Sequence, residues 1–175
     1  MDKAVREKLT KIIETEGDTN WWNPEEFKEY VRSQLPLELK IISVPPSPAG
    51  NFNCFVYALK LENDSEFLGG NNPIQKEFIQ YLLDRGVLKK VENPSTGDLV
   101  FYEDDKSTIT HGGTVQSDGS ILSKWMWGAL FSHELWDVPS SFGNKVFYCK
   151  PIDSQTAKKS YVEYRDSGVK IDPIS

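Results

Sequence analysis

Residue types able to carry nucleophilic chemistry are scarce in this sequence. Cysteine occurs twice, at 54 and 149, and histidine twice, at 111 and 133. A thiol acts as a nucleophile through its thiolate, and its base must come from elsewhere in the chain. Cys54 follows Pro45-Pro46-Ser47-Pro48-Ala49-Gly50, a run that excludes regular structure. It opens the apolar stretch Cys54-Phe55-Val56-Tyr57-Ala58-Leu59, with Asn53 as the expected helix cap. The first turn of a helix favours negative charge, so this position predicts a lowered thiol pKa and N–H groups able to hold an oxyanion. Taken alone, Cys54 fits a small buried apolar residue better. His111 shifts the balance: it lies in Ile109-Thr110-His111-Gly112-Gly113-Thr114-Val115, whose two glycines leave the sheet bare for a close approach. Cys149, in the apolar run Val146-Phe147-Tyr148-Cys149, has no helix start or histidine nearby and reads as structural.

Hairpin geometry nominates a third residue. A turn centred on Asp118 sets His111 opposite Trp125 and puts Ser123 diagonal to His111 on the same face. Ser123 could accept the second imidazole N–H; His133, about one strand later, competes for the role. Lys124, Trp125 and Trp127 follow at once and could wall a groove, although core packing explains Trp125 equally well. No Walker-type loop, dinucleotide fingerprint or paired-carboxylate pattern is present. With no CxxC pair and only two histidines, neither a metal nor any cofactor is expected.

The elements that must position these residues are helices first, then strands. Val5, Leu9, Ile12 and Ile13 predict a helix over 3–16, ended by Gly17. Asn23-Pro24-Glu25-Glu26 marks a second helix start, running to about 34 and burying Phe27, Tyr30 and Val31, with Trp21-Trp22 as a lid. An extended segment is expected at 37–44. Gly69-Gly70-Asn71-Asn72-Pro73 leads into a helix at 73–85 that carries Ile74, Phe78, Tyr81 and Leu82 on one face and stops at Gly86. The period then changes to two. Strands are expected at 99–102, 109–116, 120–125, 133–138 and 144–150, with a hairpin turn at Ser117-Asp118-Gly119. After Pro151 the chain is polar, with a possible short strand at 160–164. The expected class is α+β.

Composition narrows the function classes. At 175 residues, with 38% apolar and 26% charged residues, the chain fits one soluble globular domain. A net charge of −6 and a pI near 5.0 argue against nucleic acid as a partner. No apolar window is long enough for a membrane span, and the N-terminal residues do not read as a signal peptide, so a cytoplasmic location is expected.

Three segments together, Asn53-Cys54-Phe55-Val56-Tyr57-Ala58-Leu59, Gly97-Asp98-Leu99-Val100-Phe101-Tyr102 and Thr110-His111-Gly112-Gly113-Thr114-Val115, resemble the NlpC-type, papain-like cysteine peptidase superfamily. Residues 121–125, His133 and 139–143 look like a bacterial subgroup of it. The resemblance covers roughly residues 50–150. It implies a cysteine-opened helix packed on an antiparallel sheet within a core at 46–151, flanked by an N-terminal helical extension at 1–45 and a tail at 152–175. It also implies a cysteine-dependent amide hydrolase working through an acyl-enzyme, with Cys54 as nucleophile, His111 as base and Ser123 or His133 as orienter. The family's third residue is commonly His, Asn, Gln or Asp, so Ser123 departs from the pattern. Asn53, Tyr57, Lys124 and Trp125 are the expected substrate-binding residues. A peptide or other amide is the expected substrate, with a protein partner also possible. The alternatives are a deamidase or acyltransferase, or an inactive papain-like fold serving as a binding or immunity module.

Overall fold

The computed structural model describes residues 2–37, 39–44, 52–68, 74–126 and 128–167, with the side chains of Asp18, Asn20 and Trp21 left out. The expectations for Pro45–Gly50, for Gly69–Pro73, for a Trp21 lid and for Trp127 therefore lie outside the described residues.

Helix α1 (Lys3–Trp22) begins where Asp2 Oδ1 accepts the Ala4 amide at 3.2 Å. Gly17 does not end it. The chain kinks at Glu16 (φ −115°, ψ 18°) and stays helical to Trp22, because one interior glycine costs only about 1 kcal/mol. Helix α2 (Pro24–Gln34) starts as its sequence dictates: the Glu26 amide donates to Asn23 Oδ1 and Asn23 Nδ2 donates to Glu26 Oε2 at 2.8 Å. Phe27 and Val31 are buried, whereas Tyr30 and Trp22 face outward, so Trp22 forms no lid.

Among the described residues, seven antiparallel strands form one sheet in the order β1-β6-β5-β4-β3-β7-β2. They are β1 (Lys40–Ser43), β2 (Lys90–Val91), β3 (Leu99–Glu103), β4 (Ile109–Val115), β5 (Ile121–Lys124), β6 (Leu130–His133) and β7 (Lys145–Cys149). Helices α1 and α2 cover one face, burying Leu9, Ile13, Phe27 and Val31 with Val100, Tyr102, Trp125 and Phe131. Helices α3 (Cys54–Ala58), α4 (Lys76–Asp84) and α5 (Ser154–Asp166) cover the other, burying Val56, Phe78 and Tyr161 with Leu99, Phe101 and Cys149. The molecule is α+β, as expected. No helix among the described residues is long and apolar enough to cross a membrane.

Three further elements differ from expectation. Residues 160–164 are helical: Ala157, Ser160, Tyr161 and Tyr164 are buried at a spacing of three and four, and Asp153 caps the helix through the Thr156 amide at 2.8 Å. Strand β6 lies at 130–133 instead of 133–138, because the turn after Trp125 closes early, with the Trp125 amide donating to the Ala129 carbonyl. Helix α4 starts at Lys76, and Tyr81 on it is half-buried.

The register of β4 and β5 is the one expected. Thr114 faces Leu122 and Val115 faces Ile121, which centres the hairpin on Asp118. Between β3 and β4 the pairing runs from Leu99–Thr114 to Tyr102–His111 and then slips to Glu103–Ile109, leaving Thr110 as an inserted residue. Alternation therefore puts His111, Gly113 and Val115 on the α1–α2 face and Gly112 and Thr114 on the α3 face.

A side chain at Gly113 would place its Cβ 2.9 Å from the Leu122 carbonyl oxygen, whereas one at Gly112 would meet the Phe101 ring at 3.1 Å. Ring atoms yield more easily than a paired strand. Urea unfolding should show Gly113→Ala costing about 1–3 kcal/mol and Gly112→Ala less. The reverse order would contradict this placement of the two glycines.

Candidate functional site

Cys54 is the first residue of α3. Asn53 Oδ1 accepts the amides of Phe55 and Val56, both at 3.0 Å, while Asn53 Nδ2 donates to the Ile74 carbonyl at 2.8 Å. Asn53 is thus the expected cap, and its amide also ties α3 to the approach of α4. The Cys54 thiol is 8% exposed and faces β4 where Gly112 presents backbone in place of a side chain. Burial pushes the thiol up to about 12; backbone hydrogen bonds from Gly112, Cys54 itself and Phe55 act the other way, as does the nearby Lys124 ammonium. The expectation of a lowered pKa is therefore overturned. The helix-start amides are present, but desolvation outweighs them.

Lys124 reaches this site through the alternation of β5. Ile121 and Ser123 lie on the α1–α2 face, so Lys124 points to the α3 face. It is 1% exposed, its Nζ lies 5.1 Å from the Phe52 ring centroid, and burial lowers its pKa to about 7, with Cys54 opposing that shift. Alternation alone puts Lys124 on the face opposite Ser123; only the packing of α3 shows that Cys54 shares that face.

The two imidazoles are elsewhere. The His111 ring stacks on Phe142 at 3.9 Å and lies 5.6 Å from the Tyr102 ring, within the α1–α2 layer. Its Nε2 is buried without a hydrogen-bond partner. Burial holds its pKa well below the usual value, and nearby His133 adds to that. Ser123 does not orient His111. Its Oγ accepts the Trp125 Nε1–H at 3.0 Å and donates to His133 Nε2 at 2.7 Å, while His133 Nδ1–H donates to the Glu134 carbonyl at 2.8 Å. This chain is complete only with a neutral His133, whose pKa burial lowers to about 4. Sheet alternation thus separates Cys54 and Lys124 from His111, Ser123 and His133.

Residues 45–150 match the family described as "Domain of unknown function (DUF7689)". The chain belongs to this family. No curated protein and no solved structure matches it. The DUF7689 match includes Cys54, Lys124 and both histidines, and leaves α1, α2, β1 and α5 outside.

The remaining candidates of this DUF7689 chain have distinct places. Trp125 is fully buried among Phe131, His133 and Phe142, a core position. Tyr57 is half-buried beside α3 and lines a cavity with Thr114. Cys149 is buried against Leu99, as a structural residue would be. Asp98 of the Gly-Asp-Leu motif accepts the Ser95 amide and pairs with Lys150 Nζ at 2.8 Å, a strand-anchoring role.

The buried imidazoles set a pH dependence. Below about 6.5 the unfolded chain binds a proton at position 133, but the folded chain does so only near pH 4. Stability is therefore complete above 6.5 and falls with pH between 6.5 and 4, by about 3 kcal/mol for this group. Urea midpoints across that range should fall steeply in the native chain and less steeply in His133→Gln; equal slopes would refute the buried neutral imidazole.

Proposed function

We propose that this chain is a cysteine-dependent acyl-transfer enzyme, an amide hydrolase of papain-like type, in which Lys124 serves Cys54 in place of a histidine. The observation that carries the reading is the convergence of the Cys54 thiol, the backbone amides of Gly112 and of Cys54 itself, and the buried Lys124 amine on one face of the sheet. An amine whose pKa is lowered to about 7 is substantially neutral near neutral pH, the state a general base requires. Lysine acts in this role in serine–lysine variants of the catalytic triad.

The thiolate is the disfavoured form at rest, so proton transfer accompanies attack. As Cys54 Sγ bonds to the amide carbonyl carbon, its proton passes to Lys124 Nζ, and the carbonyl oxygen becomes an oxyanion facing the Gly112 and Cys54 amides. Collapse breaks the C–N bond, and the Lys124 ammonium returns the proton to the leaving amine. Water then attacks the thioester, giving a proton to Lys124 and releasing the acid. The departing Cys54 sulfur recovers that proton. The packing of a cysteine-opened helix on antiparallel strands favours the papain-like assignment; the imidazoles on the other face depart from it.

That departure favours a second reading, a catalytically idle fold acting as a binding module. Alkylation separates the two. Iodoacetamide labelling of Cys54, followed by mass spectrometry from pH 5 to 10, should rise to an inflection near pH 7 in the native chain and in His111→Gln. Lys124→Met should lose the inflection and label about tenfold more slowly at pH 8. Identical profiles for the native chain and Lys124→Met, or no labelling of native Cys54, would remove the enzyme reading.

A further inference from the structure

Both cysteines are free, and both lie on the α3 side of the sheet. Cys149 is on β7, two strands from β4 on the side away from β5. Cys54 receives the Gly112 amide of β4. The register of β4 and β5 then shows what stands beside it. Thr114 pairs with Leu122, and a Cβ built on Gly113 would fall 2.9 Å from Ser123 Cβ, so one residue further on Gly112 comes opposite Lys124. Lys124 in turn reaches back to Phe52, two residues before Cys54, with its Nζ 5.1 Å from that ring's centroid. The neighbour of the Cys54 sulfur is therefore an amine, while the second thiol lies across the sheet.

The two groups are not equally enclosed. Cys54 keeps 8% of its surface exposed and Lys124 only 1%. A water-sized oxidant arriving from solvent meets the thiol, and the amine needs no access from outside because its reaction partner is already beside it. A thiol oxidised by peroxide becomes a sulfenic acid, which condenses with a nearby nitrogen or thiol.

We propose that Cys54 is a site of peroxide modification whose product is a sulfenamide bond from Cys54 Sγ to Lys124 Nζ. In the first step Sγ attacks one peroxide oxygen and its proton passes to Lys124 Nζ. The O–O bond breaks, and the departing hydroxide takes that proton and leaves as water. In the second step the neutral Nζ attacks the sulfur and the S–O bond of the sulfenic acid breaks. The hydroxide leaves with an amine proton as a second water. One peroxide is reduced, and thiol and amine together lose two hydrogens. Burial lowers the Lys124 pKa to about 7, so the attacking amine is mostly neutral above that pH. The bond ties α3 to β5 and consumes thiol and amine together, which silences Cys54 until a thiol reductant cleaves it. The inference shares the Cys54–Lys124 pairing with the enzyme reading but none of its acyl chemistry.

The test treats the full chain with hydrogen peroxide at pH 8, stops the reaction with catalase and reads tryptic peptides by mass spectrometry. Peptides are read because the exposed Met126 also takes up oxygen. The Cys54 peptide should appear joined to a peptide left uncleaved after Lys124, with a loss of about 2 Da for the two hydrogens. Cys149→Ser should form the same link, and dithiothreitol should reverse it. Lys124→Met should form no link and should carry Cys54 to the sulfinic acid, a gain of about 32 Da. A Cys54–Cys149 disulfide, sulfinic acid without a link in the native chain, a link that dithiothreitol leaves intact, or a Cys54 unchanged by peroxide would overturn the assignment. The iodoacetamide profile is measured without peroxide, so the enzyme reading and this one can fail independently.

Discussion

The contact on which this molecule turns is the approach of α3 to β4 over Gly112. The helix has only five residues, far too few to persist on its own. It exists because Asn53 caps it and because Val56, Ala58 and Leu59 are buried. Where it meets β4, the Gly112 backbone brings an amide to the Cys54 sulfur. The packing of this short helix therefore sets the electrostatics of its thiol.

Burial then decides the charge of every titratable group around it. The amides at a helix start are worth at most about 2 kcal/mol to an anion. The rise of the Cys54 thiol from 9.0 to about 12 corresponds to about 4 kcal/mol, so desolvation wins. The same cause lowers Lys124, His111 and His133. Cys54, Lys124 and the two imidazoles are each driven towards the neutral form, whatever their type. The His133–Ser123–Trp125 chain fits this rule, since the Ser123 hydroxyl finds its acceptor only in an uncharged imidazole.

Local chemistry was legible in the sequence; long-range placement was not. The Asn23–Glu26 capping box, the Asn53 cap, the Asp118-centred hairpin and the role of the paired glycines all follow from rules acting over a few residues. The face of His111 follows from unbroken alternation over 111–115; what no local rule gives is which face of the sheet α3 covers, and so whether Cys54 meets His111 or Gly112. The α5 misreading has a different origin: Ser160–Tyr164 alternates over five residues, and only the longer window reaching back to Ala157 shows the helical period. Residue type suggested pairing the scarce thiol with a scarce imidazole. Strand alternation overrode that suggestion and supplied a lysine instead.

The exchange of imidazole for amine changes what the proposed chemistry demands. An imidazole paired with a thiolate can rest as a charged pair where water reaches it. Here a charged pair would have to survive beneath Phe52 and Phe55, where the thiol alone resists ionisation to about 12. Thiol and amine are therefore most stable uncharged, and the thiol reacts only as its proton passes to Lys124. In acyl transfer the negative end would then move to the acyl oxygen against the Gly112 and Cys54 amides. Selectivity would come from whatever holds an electrophile against Sγ, because no thiolate stands ready beforehand.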